Sequence, residues 1–187
     1  GRVVKALTTT SMVDKICEAH GLLLTETGVG FKYICSEMLK GDVLLGFEES
    51  GGIGFPRHIP ERDGILAGLI VLEMLAIEKK SLGTLLKRLE KDYGPHRYGR
   101  VDMHFLMEKR DALLLQCASD PPARLLRSAV SQVKNFDGVK LIASDGSWLM
   151  WRGSGTEPVL RIYAEASSET AVERLLRQGV RIAKASA

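Results

Sequence analysis

The chain has 187 residues, enough for two domains, and 45% of them are hydrophobic, so compact cores can form. The net charge of +3 is small and dispersed, which permits an anionic ligand but disfavours nucleic-acid binding. The three cysteines fit no zinc or disulfide spacing, so we expect a reducing cytoplasm and no metal site. The longest apolar stretch, residues 65–77, contains Glu73, which predicts a buried helix and no membrane span.

The first half of the chain alternates predicted strands with predicted helices. The strands are expected at residues 3–7, 22–27 and 42–47, and the helices at residues 12–20, after the glycine loop at 28–30, at 61–79 and at 82–92. The hydroxyls of residues 8–11 are expected to cap the first helix, and Pro60 and Glu61 to open the third. Such alternation indicates βαβ units around a parallel sheet, that is, an α/β fold.

The pattern changes after residues 94–100, a predicted linker rich in glycine and charge. An edge strand at 101–107 and a helix at 108–119 are expected next. Predicted strands at 138–144, 147–151 and 159–166, separated by short turns, form a β-meander. A final amphipathic helix covers residues 169–185. The second half therefore predicts an α+β fold with an antiparallel sheet.

The stretch "RGSGT", residues 152–156, is suited to binding an anion. Glycines let backbone N–H groups converge, Ser154 and Thr156 add hydroxyl donors, and Arg152 can bind phosphate with two parallel hydrogen bonds. Arg161 lies on the strand that follows. The alternative interpretation is a plain hairpin turn with solvated arginines.

A second loop, "GFEESGGIGF", follows a predicted buried strand, where open α/β sheets place their ligands. If the segment is extended, Glu48 and Glu49 point apart, and Glu48 shares a side with Ser50. A carboxylate beside a hydroxyl suits sugar hydroxyl groups, whereas adjacent carboxylates do not suit paired acid–base catalysis. An acidic surface loop is the alternative.

Two further segments supply weaker candidates. Gly28 and Gly30 precede a predicted helix whose start favours an anion, with Lys32 nearby, although a solvated Lys32 is the commoner outcome. His58 and Asp63 suggest a catalytic dyad, but no nucleophile accompanies them, and Asp63 is expected to cap a helix instead.

Together these motifs resemble the α-D-phosphohexomutases, the phosphoglucomutase/phosphomannomutase family. The segments "TTSMVDKI", "TGVGFKYI", "GFEESGGIGF", "HIPERDG" and "RGSGTEPVLRIYAE" occur in that family's order across Thr9–Glu165. The resemblance covers only the last two of the family's four domains. It implies domain 3, an α/β/α domain lacking its first helix, at 1–93, a hinge at 94–100, and domain 4, with a TATA-box-binding-protein-like fold, at 101–187.

The resemblance also implies roles for individual residues. In the third domain Glu48 and Ser50 would hold the sugar hydroxyls, with Val29, Gly30, Lys32 and Arg62 as further substrate contacts. In the fourth domain the non-reacting phosphate would be held by a loop and the next strand, through Arg152, Ser154, Gly155, Thr156 and Arg161. The reaction implied moves phosphate between the 1- and 6-positions of a hexose through a bisphosphate, with a phosphoserine and Mg²⁺ in domains 1 and 2.

Neither a Ser-His-Asn phosphoserine loop nor an Asp-x-Asp-x-Asp-Arg metal loop occurs in this sequence. We therefore expect a C-terminal fragment that has no catalytic residue, binds no cofactor, and is inactive without the missing N-terminal domains. The Glu-Glu-Ser-Gly-Gly loop resembles the glucose and mannose branches more than the glucosamine branch. A non-catalytic sugar-phosphate or anion-binding module is the competing hypothesis, and nucleic-acid binding is the least favoured.

Overall fold

The computed structural model describes residues 1–155 and 157–186. Contacts between Cα atoms divide the chain into two compact units, Gly1–Gly94 and Pro95–Ala187. Thr156, one of the predicted phosphate ligands, lies outside the described residues.

The first unit is an α/β domain, as predicted. Its sheet has the strand order β2-β1-β3-β4, in which β1 is parallel to β2 and β3, and β4 is antiparallel to β3. The elements in chain order are β1 (Arg2–Ala6), α1 (Met12–Ala19), β2 (Leu24–Thr27), α2 (Phe31–Leu39), β3 (Val43–Phe47), β4 (Ile53–Gly54), α3 (Gly64–Glu78) and α4 (Leu82–Tyr93). The two-residue β4 was not predicted, because so short a strand has no periodicity to detect.

One face of this sheet packs against α2. Val4 and Ala6 alternate along β1 and are fully buried. They meet an apolar stripe on α2 with the spacing of a helix face, formed by Phe31, Ile34 and Met38. This core fixes the carboxyl ends of the strands and so positions the loops that follow them.

The start of one helix differs from the prediction. Helix α3 begins at Gly64, because the Asp63 side chain accepts hydrogen bonds from the backbone N–H groups of Ile65 and Leu66, both at 2.9 Å. Arg62 still pairs with Gly54 in a β-bridge, so Pro60 and Glu61 precede the helix and do not open it. Helix α1 begins at Met12 as predicted, and although Ser11 at its N-cap makes no side-chain cap hydrogen bond, the Thr10 hydroxyl accepts from the backbone N–H of Met12 at 3.2 Å.

The second unit is an α+β domain with a six-stranded antiparallel sheet of order β5-β10-β9-β8-β7-β6. Its elements are β5 (Arg97–His104), α5 (Met107–Ser119), β6 (Arg124–Leu125), β7 (Ser128–Lys134), β8 (Val139–Ala143), β9 (Trp148–Gly153), β10 (Val159–Ala166) and α6 (Glu169–Ala185). The predicted edge strand and β-meander are confirmed, while β6 and β7 were missed. Strand β5 begins at Arg97, so residues 97–100 of the predicted linker belong to a strand.

Helices α5 and α6 cover one face of this sheet. Leu149, Trp151 and Ile162 point into that core and are fully buried. The Trp151 indole N–H donates to the Gly179 carbonyl of α6 at 3.0 Å. The adjacent residues Arg152 and Arg161 consequently face the opposite side of the sheet. No helix in residues 1–155 and 157–186 has the length and apolarity needed to cross a membrane.

Candidate ligand-binding loops

Three loops of the first unit meet at the carboxyl edge of its sheet. They follow β1, β2 and β3, which run parallel. Chain order reverses at β1, which lies between β2 and β3, and open α/β sheets bind ligands at such a reversal. The loops after β1 and β3 touch there, since the Thr8 hydroxyl donates to the Glu49 carboxylate at 2.5 Å.

Glu48 presents a largely buried carboxylate at this edge. Its side chain is 9% exposed, and Oε2 lies 3.3 Å from Nη1 of Arg62, whose side chain is 52% exposed. Burial raises the pKa of Glu48, and the positive charge of Arg62 opposes that rise only in part. The Glu48 carboxylate therefore lies beside a cation and has little contact with water. Such a carboxylate is suited to accept hydrogen bonds from ligand hydroxyl groups.

The segment after β3 is a tight turn and is not extended. The backbone N–H of Glu48 donates to the Gly52 carbonyl at 3.0 Å, and that of Gly51 donates to the Glu48 carbonyl at 3.1 Å. Ser50 is exposed within this turn. The argument that Glu48 and Ser50 share a side of an extended segment is therefore wrong, although the two carboxylates do diverge, Glu48 toward Arg62 and Glu49 toward Thr8.

Glu48→Gln is expected to raise the free energy of unfolding at pH 7 by about 1 kcal/mol, a usual gain when a functional site is relieved. The raised pKa means that folded protein holds the Glu48 proton more tightly than unfolded protein does. Wild-type stability should therefore gain from this group as pH falls toward its ordinary pKa of 4.5, and the advantage of Gln should shrink. Urea unfolding at pH 7 and pH 5 measures both effects.

The exposed Glu173→Gln on α6 is the control for that experiment and should change stability little. A Glu48→Gln protein that is less stable than wild type at pH 7 would mean that the ion pair with Arg62 outweighs the cost of burying the carboxylate.

Arg62 connects Glu48 with the loop after β2. Its guanidinium lies 5.0 Å from the centre of the Phe31 ring, at the start of α2. Gly30, which precedes Phe31, has a φ of 132°, a conformation that disfavours other residues, and Val29 beside it is half-buried. Lys32 is exposed, with Nζ 4.9 Å from the Tyr33 ring. The structure thus brings Glu48, Arg62 and the glycine loop together, while Lys32 lies on the outer side of α2.

Three polar residues of this edge were missed from the sequence. Thr8 and Thr9 are buried, and the Thr9 hydroxyl has no hydrogen-bond partner among the described residues. Lys5, near the carboxyl end of β1, is 1% exposed and pairs with Asp14 and Glu26. The run of three threonines directly after a buried strand was the available signal, but it was interpreted as helix caps.

In the second unit, charged residues form a row across the sheet face that carries no helix. Arg152 of β9 and Arg161 of β10 are direct cross-strand partners. The Arg152 Nε donates to both carboxylate oxygens of Asp137 at 3.1 Å. Beyond Arg161 the row ends at Asp102, its partner on β5. Two positive charges therefore lie side by side, with one carboxylate at each end.

Arg161 is the less satisfied of the two arginines. Its Nε lies 3.8 Å from Asp102, beyond hydrogen-bond distance, and has no hydrogen-bond partner within residues 1–155 and 157–186. Asp102 is already bound by Arg100 at 2.6 and 2.5 Å, which lowers the pKa of the Asp102 carboxyl group. Because the Arg161 side chain is 27% exposed, its guanidinium group retains hydrogen-bonding capacity for an anion.

Arg110 of α5 holds the loop at residues 153–155. The sequence analysis did not indicate this residue. Its Nη1 donates to the Ser154 carbonyl at 2.8 Å. A Cβ on Gly153 would lie 2.0 Å from the Arg110 Cδ, so a larger residue there would displace the Arg110 side chain. Ser154 is buried, its N–H donates to the Val159 carbonyl at 2.9 Å, and Gly155 is exposed. The Ser154 N–H is thus occupied, contrary to the predicted convergence of free N–H groups.

Arg110→Ala is expected to loosen this loop. Because a hydrogen bond from a charged donor contributes about 1.5–3 kcal/mol, exchange of the Ser154 amide hydrogen should accelerate at least about tenfold. Hydrogen exchange followed by NMR measures it, and the exposed neighbour Lys109→Ala is the control. Unchanged exchange at Ser154 would show that the strand pairing of β9 and β10 holds the loop without Arg110.

Metal binding receives no support from the described residues. Among residues 1–155 and 157–186, no group of three or more His, Cys, Asp and Glu side chains is arranged to hold a metal ion.

Two models of one protein family match the chain. "Phosphoglucomutase/phosphomannomutase, alpha/beta/alpha domain III" matches residues 1–93, and the model of the C-terminal domain matches residues 114–181. The chain belongs to the phosphoglucomutase/phosphomannomutase family, as the order of its loops indicated.

The proteins to which this chain is similar are named for different sugar phosphates. A phosphoglucomutase/phosphomannomutase of Thermococcus kodakarensis is 29% identical over 97% of this chain and 38% of its own length. A phosphoglucosamine/phosphogalactosamine mutase of Sulfurisphaera tokodaii is 30% identical over 95% and 37%. The crystal structure of a putative phosphomannomutase from Thermus thermophilus has a TM-score of 0.79 and 36% identity, covering 98% of this chain and 36% of that one. The chain therefore spans well under half the length of these relatives.

Proposed function

We propose that this chain is the sugar- and phosphate-recognition part of a phosphohexomutase that interconverts hexose 1-phosphate and hexose 6-phosphate through a hexose 1,6-bisphosphate. The observation that carries the proposal is the paired Arg152 and Arg161 beside the 153–155 loop, with acids only at the ends of the row. Adjacent guanidinium groups suit a dianionic phosphate, because each can donate two parallel hydrogen bonds.

The loops of the first unit would recognise the sugar. Glu48 would accept hydrogen bonds from sugar hydroxyl groups and Ser50 would both donate and accept them. Arg62 would hold the Glu48 carboxylate and contact the reacting phosphate, with Val29, Gly30 and Lys32 as further substrate contacts. The phosphate that does not react would be bound by the second unit, through Arg152, Ser154, Gly155, Thr156 and Arg161.

Phosphoryl transfer needs a nucleophile in line with the phosphate and positive charge to neutralise the transition state. We propose that two preceding domains of a longer, cytoplasmic protein supply both, as a phosphoserine and Mg²⁺, and that this chain alone is inactive. Within this chain the mechanism is recognition. Arg152 and Arg161 would fix the phosphate, and Glu48 would orient the sugar so that its other end meets the nucleophile.

Glucose and mannose phosphates are the proposed substrates, and amino sugars are not. This choice follows the sequence of the loop Glu48–Gly52, Glu-Glu-Ser-Gly-Gly, which resembles the loop of the glucose and mannose branches of the family more than that of the glucosamine branch. Relatives with comparable identity are named for both kinds of sugar, so this choice rests on the loop alone.

An NMR titration with glucose 6-phosphate tests the proposal, with ribose 5-phosphate, glucosamine 6-phosphate and sulfate as controls. We expect the amides of residues 48–52 and of residues 153–155 to shift with glucose 6-phosphate and residues 48–52 to stay unshifted with sulfate. If only residues 153–155 respond, and sulfate is equally effective, the chain is a general anion-binding module and the proposed sugar recognition fails.

A further inference from the structure

Helix α3 has the opposite exposure to that expected from its sequence. Between Gly64 and Ile77 its only charged residue is Glu73. A helix that is apolar on all sides is normally buried. No residue of α3 is buried, however, and Ile65, Leu72 and Ile77 are 80%, 62% and 73% exposed.

The exposed side chains form a continuous apolar face, which we call the α3 face. Ile65, Leu69, Leu72 and Ala76 follow one another at intervals of four, three and four residues and are all exposed. Such spacing is that of a stripe packed against another element, and the small residues Gly68 and Ala76 would allow close approach. Contiguous exposed apolar surface of this kind marks an interaction site.

Neither water nor a membrane suits this face. Its side chains are apolar and form no hydrogen bonds with water. A helix of 15 residues is about 22 Å long, which is too short to span a hydrocarbon core of about 30 Å. The occupant should therefore be apolar polypeptide.

We propose that the α3 face binds the polypeptide that precedes Gly1 in the full-length protein. This inference rests on the proposed function only in assuming a longer protein. The relatives are between two and three times longer than the matched region, and the first family model is their domain III, so further domains precede that region in them. A long stretch of polypeptide is thus available on the N-terminal side.

The topology brings that polypeptide to the correct end of the unit. Lys15, early in α1, donates to the Tyr93 carbonyl at 2.8 Å, which places the end of α4 near the carboxyl edge of the sheet. Helix α4 has 12 residues, about 18 Å, so the turn between α3 and α4 lies toward the opposite edge. Strand β1 starts at that opposite edge, next to Gly1. Chain arriving at Gly1 therefore passes near the end of α3.

Hydroxyl-radical footprinting tests the proposal, because two leucines of similar exposure act as probe and control. Leu72 on the α3 face is 62% exposed, and Leu115 on α5 is 69% exposed. In the 187-residue chain both should be oxidised at similar rates. In the full-length gene product, oxidation of Leu72 should fall at least fivefold while that of Leu115 changes less than twofold.

Other outcomes overturn the proposal. Equal oxidation of Leu72 in both proteins would overturn it, and so would a gene without coding sequence upstream of Gly1. If Leu72 is protected in the 187-residue chain and becomes reactive on dilution, the occupant is a second copy of this chain.

Charge substitution supplies a second readout that is independent of sugar binding. The double variant Leu69→Glu, Leu72→Glu should lower the melting temperature of the full-length protein by roughly 10 °C and leave that of the chain from Gly1 to Ala187 unchanged. The control is Leu115→Glu on α5, whose leucine is also exposed at 69%. Equal tolerance of the double variant in both proteins contradicts the proposal. The hexose phosphate titration tests the proposed function separately.

Discussion

Gly46→Val is expected to lower the free energy of unfolding by about 3 kcal/mol, the upper part of the usual range for overpacking a core. A Cβ at Gly46 would lie 2.3 Å from Cγ2 of Ile34 and 2.8 Å from Cε of Met38. Ile34 is fully buried between sheet and helix and cannot turn aside. Helix α2 must therefore move away from β3. This movement opens the core between the helix and the sheet, which positions the Glu48 loop.

Urea denaturation followed by circular dichroism measures this loss. Gly68→Ala is the matched control, because no atom lies within 4 Å of its Cβ position and Gly68 is inside helix α3. This control should stabilise the protein by about 0.5–1 kcal/mol, since alanine favours a helix over glycine. A Gly46→Val protein within about 0.5 kcal/mol of wild type would contradict the close contact between α2 and β3.

The fold was largely predictable wherever apolar residues repeat with a clear period. Helix α6 was placed at its observed bounds, because Val172, Leu175 and Gly179 mark one helical face. The strands of the meander were recognised because the turns between them contain glycine and aspartate. The start of α3 was misplaced, because Pro60 is favourable at a helix start only when no pairing competes, and here Arg62 pairs with Gly54.

The candidate loops were less predictable, because their geometry depends on contacts between distant residues. Arg110 reaches Ser154 across 44 positions of sequence, and Thr8 reaches Glu49 across 41. No local pattern signals such a pair. The turn at Glu48–Gly52 also removed the alternation on which the pairing of Glu48 with Ser50 was argued. The chemical types of the residues indicated the class of ligand, but only the fold showed which side chains keep free hydrogen-bonding capacity.

Arg161→Gln is expected to weaken binding of glucose 6-phosphate at least about tenfold without destabilising the protein. A charged hydrogen bond to a ligand contributes about 1.5–3 kcal/mol, and the Arg161 Nε has no competing partner in the described part of the chain. Like charges directly opposite each other destabilise a sheet, so removing one beside Arg152 should leave the free energy of unfolding unchanged or raise it by about 0.5 kcal/mol.

Isothermal titration calorimetry and urea denaturation of the same samples separate the two effects. The exposed Arg174→Gln on α6 is the control for loss of one positive charge. Arg152→Gln should behave differently from Arg161→Gln and lower both affinity and stability, because it also removes two hydrogen bonds to Asp137. Equal losses of stability in the Arg152 and Arg161 variants would mean that both arginines serve the sheet, and the assignment of Arg161 to the ligand would fail.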